Sequence, residues 1–314
     1  MRIIMQHNIF QHEHWLALAF DMDGCVFSDD YLDARIELLS RRNTPPDIEE
    51  EKELLLRFNK TMLDTIIASA KGNYTRLYVL SGTKRQDFAT DQLNSKSNIS
   101  ISAFHAPGIL IEYMKEQLPD QHIEFIPFYM ADIIAGNAAS RDNIGMTFKA
   151  ALRALDGEQD VEHAIWAGME HKKWTLTYSH AHLLAAMAEI ELQMIPHTIH
   201  YRLIDDDQFI LQGLTDFTQT CSHHFPASVR MEFLEHSTNV PLTIMDAAQV
   251  INGTGIANGE FMSVINSLHT IHGEDSYSGA DNFYFRQLNF KSVEHADALL
   301  KNPQYKNKSF CSIL

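Results

Sequence analysis

The sequence predicts an α/β fold of three layers, in which helices cover both faces of a parallel sheet. Short apolar runs alternate with longer segments whose apolar residues recur every three or four positions. Such alternation is typical of βα units, whose strands pair in parallel. The 314 residues, of which 45% are hydrophobic and 21% charged, suffice to bury a large core. We therefore expect a three-layer Rossmann-like parallel sheet with a helical insertion and a C-terminal extension.

The N-terminal part of the chain contains two predicted buried strands joined by helical segments. Residues 48–70 are predicted to form a helix, because their apolar side chains share one face and three glutamates occupy the first turn. The predicted elements are a strand at 16–20, a polar, partly helical segment at 28–42, the helix at 48–70, a strand at 77–80 and a polar helix at 84–93.

The rest of the chain continues the alternation with less regularity. Its predicted elements are weak strands at 99–104 and 123–129, helices of an insertion at 131–168, a helix at 174–194, a strand at 199–204, a helix at 211–223 and a strand at 229–234. We divide the chain into a core of residues 1–240, with an insertion within 105–170, and an extension of residues 241–314. The extension ends in a polar tail that we expect to be mobile.

Composition excludes several classes of protein. The formal net charge is −16, and no long Lys/Arg run is present, so nucleic acid is not an expected partner. Three cysteines without regular spacing do not predict a disulfide framework, which favours a reducing compartment. No segment has the apolar length of a signal peptide or of a membrane span, so we expect a cytoplasmic protein.

Polar side chains follow three of the predicted strands. The carboxyl ends of parallel strands meet at one edge of a sheet, where ligands bind. The residues at these ends are Asp21 and Asp23, then Ser81 and Gly82, then Asp205 and Asp206, and the pair Lys172 and Lys173 precedes the helix that leads to the third strand.

Together these residue types suit phosphoryl transfer. That reaction needs a nucleophile, a metal ion and cationic or hydrogen-bonding groups on the phosphoryl oxygens. A carboxylate is a known covalent nucleophile in such chemistry. Three successive carboxylates at 205–207 repel one another without a cation, and Mg²⁺ prefers oxygen ligands. The sequence therefore predicts a Mg²⁺ site at this edge.

Four segments in order resemble the motifs of the haloacid dehalogenase (HAD) superfamily. Residues 19–26, AFDMDGCV, resemble its first motif, and residues 79–82, VLSG, are similar to its second. Lys172 or Lys173 resembles the third motif, and residues 203–206, LIDD, resemble the fourth. The resemblance covers about residues 16–234. It departs from the family at Cys25, where threonine is frequent, and in the long gap between the second and third motifs.

The resemblance implies an HAD-like core and the activity of a phosphoric monoester hydrolase, with a role for each residue. Asp21 is the nucleophile, and Asp23, two residues on, is the general acid and base of the family's phosphatases. Ser81, Gly82 and Lys173 or Lys172 contact the phosphoryl group. The implied ligands of Mg²⁺ are Asp21, the backbone carbonyl of Asp23, Asp205 and Asp206.

Alternatives remain open at this point. Lys172 and Lys173 are equally good candidates, with Lys149 third. The 17 histidines suggest zinc, but their spacing does not give the two clusters of ligands that a zinc site usually has. Cys25 fits a small buried thiol. The small first insertion, 28–47, favours an open site and a phosphoprotein substrate, phosphotyrosine being one candidate. A small-metabolite phosphatase or phosphotransferase, or a membrane-tethered binding module without strong catalysis, is the alternative.

The chain ends in residues 311–314, CSIL, which fit the C-a-a-X pattern for prenylation of Cys311. The terminal leucine favours a geranylgeranyl group, and three nearby lysines add modest attraction to anionic lipid. Prenylation predicts membrane association and contact with eukaryotic prenyltransferases. A bacterial effector acting in the host cytoplasm or at a host membrane surface is one protein of this kind.

Overall fold

The computed structural model describes residues 12–42, 46–82, 100–129, 132, 144–155, 173–192, 196–244 and 250–256. Several sequence predictions lie outside these residues. They are the polar helix at 84–93, most of the insertion, Lys172, and the end of the extension with Cys311.

A six-stranded sheet forms the centre of the molecule. Its strands are β1 (Glu13–Phe20), β2 (Arg76–Ser81), β3 (His122–Ile126), β4 (His197–Asp205), β5 (Val229–Glu235) and β6 (Ile251–Asn252). Their order is β3-β2-β1-β4-β5-β6, with β1 to β5 parallel and β6 antiparallel to β5. The predicted α/β fold is confirmed, and the sheet is compatible with a Rossmann-like fold. Strand β6 lies beyond residue 240 yet belongs to this sheet.

Helices cover both faces of the sheet. They are α1 (Asp29–Arg42), α2 (Ile48–Ala70), α3 (Ala106–Gln117), α4 (Met146–Leu155), α5 (Lys173–Leu192) and α6 (Gln208–Thr220), followed by a short 3₁₀ helix at Ser222–His224. Alternate residues of β1 enter two separate cores, because successive side chains of a strand point to opposite faces. Leu16, Leu18 and Phe20 pack with α2 and α3. Trp15, Ala17 and Ala19 pack with α5 and α6.

Helix α2 has the bounds that the sequence predicts. Asp47 caps its first turn, since the Asp47 carboxylate accepts from the Glu50 amide and the Glu50 side chain accepts from the Asp47 amide. Beyond the last turn, Gly72 has a φ of 75°, a left-handed conformation that glycine adopts without strain. The helix therefore has defined ends as well as an apolar face.

The strand predicted at 99–104 is wrong where the structure describes it. Residues 100–105 form no strand, and α3 begins directly after them. Some of their backbone groups bond within a turn and to another helix. The Ile101 amide donates to the Tyr31 hydroxyl, and the Phe104 and His105 amides donate to the side chain and carbonyl of Ser102. Among the helices of the described residues, none combines the length and apolar character that crossing a membrane requires.

Candidate functional site

Strand register brings the three polar strand ends together. Phe20 of β1 lies opposite Ser81 of β2 on one side and Ile204 of β4 on the other. The Asp21 amide donates to the Ile204 carbonyl at 2.9 Å, and the Gly82 amide donates to the Phe20 carbonyl at 2.9 Å. Asp21 is therefore flanked by the ends of two other strands, as parallel pairing dictates.

Three carboxylates form a compact group at this edge. Asp21 and Asp205 are buried, with 4% and 1% of their surfaces exposed, and Asp206 is more accessible. One oxygen of each lies within 4.8 Å of the others. Oxygens that share one Mg²⁺ at about 2.1 Å lie at most about 4.2 Å apart, so a small adjustment would let all three bind one ion. The donors are all hard oxygens, which fits magnesium.

Lys173 joins two of these carboxylates. Its Nζ donates to Asp21 Oδ1 at 2.9 Å and also to Asp205 Oδ2. Burial alone would lower the pKa of Lys173, but the carboxylates of Asp21 and Asp205 outweigh burial and raise that pKa above its ordinary value. The ammonium therefore stays charged at neutral pH. Lys149, the third candidate, is exposed on α4.

The crowding of acidic groups changes their protonation. Burial raises the pKa of Asp21, the Lys173 ammonium lowers it and the Asp205 carboxylate raises it, with a net increase to about 7. Burial and then the Asp205 carboxylate also raise the pKa of Asp206. One ammonium does not balance three carboxylates, so the group favours either protonation of a carboxylate or a further cation.

Ser81 brings a free hydroxyl to the site. Its side chain is fully buried, and its Oγ has no hydrogen-bond partner among the described residues. A buried hydroxyl without a partner is costly, which favours a ligand that would bond to it. A Cβ atom at the next residue, Gly82, would meet the Leu203 side chain at 2.6 Å and the Phe20 backbone at 3.2 Å. Glycine thus allows the two strand ends to approach closely.

Asp23 and Asp207 lie at the margin of the group. The Asp23 side chain is exposed on the loop after β1, and its charge contributes to the raised pKa of Asp21. Asp207, the last of the three successive aspartates, caps α6 by accepting from the Phe209 and Ile210 amides. Its own amide donates to Asp205 Oδ1 at 3.0 Å. Asp207 therefore orders the strand end instead of adding a carboxylate to the group.

Three residues at the site were missed as contributors by sequence reasoning. Gly24 has a φ of 82°, and a Cβ there would lie 2.1 Å from Asp206 Oδ2. The Asn59 amide, on α2, donates to the Val26 carbonyl, and the Cys25 thiol donates to the His236 carbonyl. Burial and then the Asp21 charge raise the pKa of Cys25, which therefore stays a thiol. An amide on the apolar face of the predicted helix was the available signal for Asn59.

The histidines form no second centre in the part of the chain that the structure describes. The aspartate group is the only set of three potential metal ligands found there. His180 and His182 are buried in α5, where they bond to the Tyr201 hydroxyl and the His224 carbonyl.

Comparisons with protein-family models, curated proteins and solved structures found no match to this chain. The case for a function therefore depends on the site's own chemistry.

Proposed function

We propose that the protein is a Mg²⁺-dependent phosphatase with an HAD-like core, acting through an aspartyl-phosphate on Asp21. The observation that carries this proposal is the buried Lys173 ammonium, which bonds to Asp21 and Asp205 in the carboxylate group. The Ser81 hydroxyl, which has no partner among the described residues, lies at the adjacent strand end. A carboxylate, a cation site, an ammonium and a hydroxyl donor are the parts that phosphoryl transfer requires.

Each residue has a step in this reaction. An Asp21 oxygen attacks phosphorus, the bond to the leaving oxygen breaks, and Asp23 gives that oxygen its proton. Asp23 then takes a proton from water, whose oxygen attacks the phosphorus and releases inorganic phosphate with regeneration of Asp21. Lys173 and Ser81 donate to the phosphoryl oxygens and orient them. Bound Mg²⁺, held by Asp21, Asp205, Asp206 and the Asp23 carbonyl, would neutralise negative charge on the phosphoryl group.

The substrate that we propose is a phosphoprotein, with phosphotyrosine as one candidate. Helix α2 supports this choice, because Asn59 lies level with the loop after β1 and residues 48–58 extend about 16 Å farther. An open cleft of about 450 Å³ lies between the N-terminal half of α2 and α1. Its charged lining residues are Glu37, Arg41, Arg42, Glu50, Glu53 and Arg57. A protein substrate, unlike a small metabolite, is large enough to contact this surface as well as the site.

Replacement of the nucleophile tests the proposal. We expect Asp21→Asn to reduce turnover of para-nitrophenyl phosphate with Mg²⁺ by at least about 1,000-fold, because the amide cannot form the phosphorylated intermediate. Asp216→Asn makes the same change on the exposed face of α6, where Asp216 bonds only to Gln212 among the described residues, and should leave turnover unchanged. Wild-type rates in the Asp21 variant, or turnover that persists in chelator, would refute the proposal.

A further inference from the structure

The loop that follows β1 carries both reacting carboxylates of the proposed mechanism. Residues 21–28 fold on themselves, with the Phe27 amide donating to the Met22 carbonyl at 2.6 Å and the Gly24 amide to the Phe27 carbonyl at 3.3 Å. The Asp21 amide bonds to the Ile204 carbonyl of β4, which fixes the start of the loop. Side chains from outside the loop bond to it farther along, next to Asp23.

One anchor comes from α2. Asn59 is 1% exposed on the buried face of the helix, between Leu55 and Met62. Its Nδ2 donates to the Val26 carbonyl at 2.9 Å and to the Leu55 carbonyl at 2.9 Å. A buried amide is tolerated only where hydrogen bonds replace its hydration, so the bond to Val26 is a specific feature of this helix.

A second anchor comes from the opposite side of the loop. Cys25 is 1% exposed, and its Sγ donates to the His236 carbonyl at 3.0 Å. The His236 amide in turn donates to the Asp205 carbonyl at 3.0 Å. The thiol thus connects the loop to the strand end that carries two of the clustered carboxylates.

We infer that Asn59 and Cys25 are positioning residues that hold Asp23 where it can transfer a proton in the reaction on Asp21. Asn59 bonds to the Val26 carbonyl and Cys25 to the His236 carbonyl, so each acts on Asp23 through the backbone of residues 25 and 26. This inference rests on the proposed phosphatase function, since a binding module would need no proton donor. It also predicts an effect that a purely structural role would not cause. Displacement of the acid lowers turnover most for substrates whose leaving group needs protonation.

The difference in turnover between substrates comes from the leaving group. Phenolate is a poor leaving group and needs protonation, whereas para-nitrophenolate leaves with little assistance from an acid. We expect Asn59→Leu and Cys25→Ala to lower kcat for phenyl phosphate about tenfold or more, and kcat for para-nitrophenyl phosphate less than about twofold. KM should change little for both substrates. Cys25→Ser retains a donor and should recover most of the phenyl phosphate rate.

Matched controls separate positioning from general damage. Asn73→Leu makes the same substitution at an exposed residue after α2 and should leave the ratio of the two rates unchanged. In an Asp23→Asn background, Asn59→Leu should cause no further preferential loss of phenyl phosphate turnover, because the acid is already missing. Should Asn59→Leu fail to fold, the comparison of Cys25→Ala with Cys25→Ser decides alone.

Equal losses on both substrates, or no change in folded variants, would overturn the positioning role and leave the phosphatase proposal standing. Absence of Mg²⁺-dependent turnover in the wild-type protein would instead overturn the phosphatase proposal itself, and the positioning role with it.

Discussion

Gly24, in the loop after β1, packs directly against one of the three clustered carboxylates because it has no side chain. Its backbone lies against the Asp206 carboxylate, so closely that a Cβ would fall 2.1 Å from Oδ2 and 2.4 Å from Cγ. Its φ of 82° is also costly for any residue with a side chain. A substitution at Gly24 therefore has two effects, backbone strain and displacement of a proposed Mg²⁺ ligand.

A substitution at Gly72 causes the backbone strain alone, without displacing a neighbouring side chain. Gly72 has a φ of 75°, but a Cβ there would meet nothing within 4 Å. We expect Gly72→Ala to cost about 1–2 kcal/mol of unfolding free energy and to leave the Mg²⁺ dependence of turnover unchanged. Gly24→Ala should in addition raise the Mg²⁺ concentration for half-maximal turnover by about tenfold or more, since it moves Asp206. The same Mg²⁺ requirement in both variants would show that Asp206 does not bind the ion.

Helices α1 and α2 are joined by a buried ion pair. Arg35 Nη2 lies 2.6 Å from Glu51 Oε1, with both side chains less than 8% exposed, and the Tyr31 hydroxyl donates to Glu51 Oε2. The same hydroxyl accepts from the Ile101 amide. This network joins α1 and α2 to each other and to the segment that precedes α3.

Loss of one partner of this pair should destabilise the protein strongly. We expect Arg35→Met to lower the free energy of unfolding in urea by about 3–5 kcal/mol, because Glu51 would remain buried without its partner. The exposed pair Arg41–Glu37 on the same helix is the control, and Arg41→Met should cost less than about 1 kcal/mol. Similar losses in both variants would contradict this account. The double variant Arg35→Met, Glu51→Leu should recover much of the stability.

Sequence patterns predicted some elements well and others poorly, for physical reasons. Helix α2 was predicted at its observed bounds, because its apolar residues share one face and three glutamates occupy its first turn, whereas the cap by Asp47 was seen only in the structure. The segment 100–104 alternates serine with apolar residues as an edge strand would, but Ser100 and Ser102 are buried in a turn. Only tertiary contacts such as the bond from Ile101 to Tyr31 decide that conformation.

The site was predictable as a set of residues but not in its detail. The carboxyl ends of parallel strands lie at one edge of a sheet, so the strand predictions gave the set of residues. The strand order and register, which place β2 and β4 beside β1, bring Asp21 next to Asp205. Two features needed the structure: Asp207 as the cap of α6, and Lys173 as the first residue of α5 between two carboxylates. Anchors such as Asn59 come from distant helices, and no local pattern gives their partners.

At the scale of the whole molecule, we expect the site to oppose folding at neutral pH when no cation is bound. The chain has a net charge of −16, and three of the carboxylates that contribute to it lie close together at the sheet edge, two of them buried. A carboxyl whose pKa is higher in the folded state than in the unfolded state retains its proton longer when folded. The free energy of unfolding then falls as the pH rises from the unfolded pKa to the folded pKa. For Asp21 that window runs from 3.8 to about 7.

Removing this titration should stabilise the metal-free protein at neutral pH. In chelator at pH 7.5, we expect the free energy of unfolding of Asp21→Asn to exceed that of the wild type by on the order of 1–3 kcal/mol. At pH 4 the two proteins should have the same free energy of unfolding. The variant keeps a polar side chain beside Lys173 and lacks only the charge that is costly above the window. Urea unfolding of both proteins across this pH range measures the difference.

Mg²⁺ should reverse the sign of this difference. An ion that binds only the folded wild type stabilises it in proportion to the logarithm of its concentration, and a site that lacks the Asp21 carboxylate should gain little. With saturating Mg²⁺ at pH 7.5, the wild type should therefore unfold at higher urea than Asp21→Asn, while Asp216→Asn should follow the wild type throughout. A variant that is less stable than the wild type even in chelator would show that Asp21 contributes to folding through its bond to Lys173. In that case the acidic group would be part of the core's structure, and its need for a cation would disappear as an argument for catalysis.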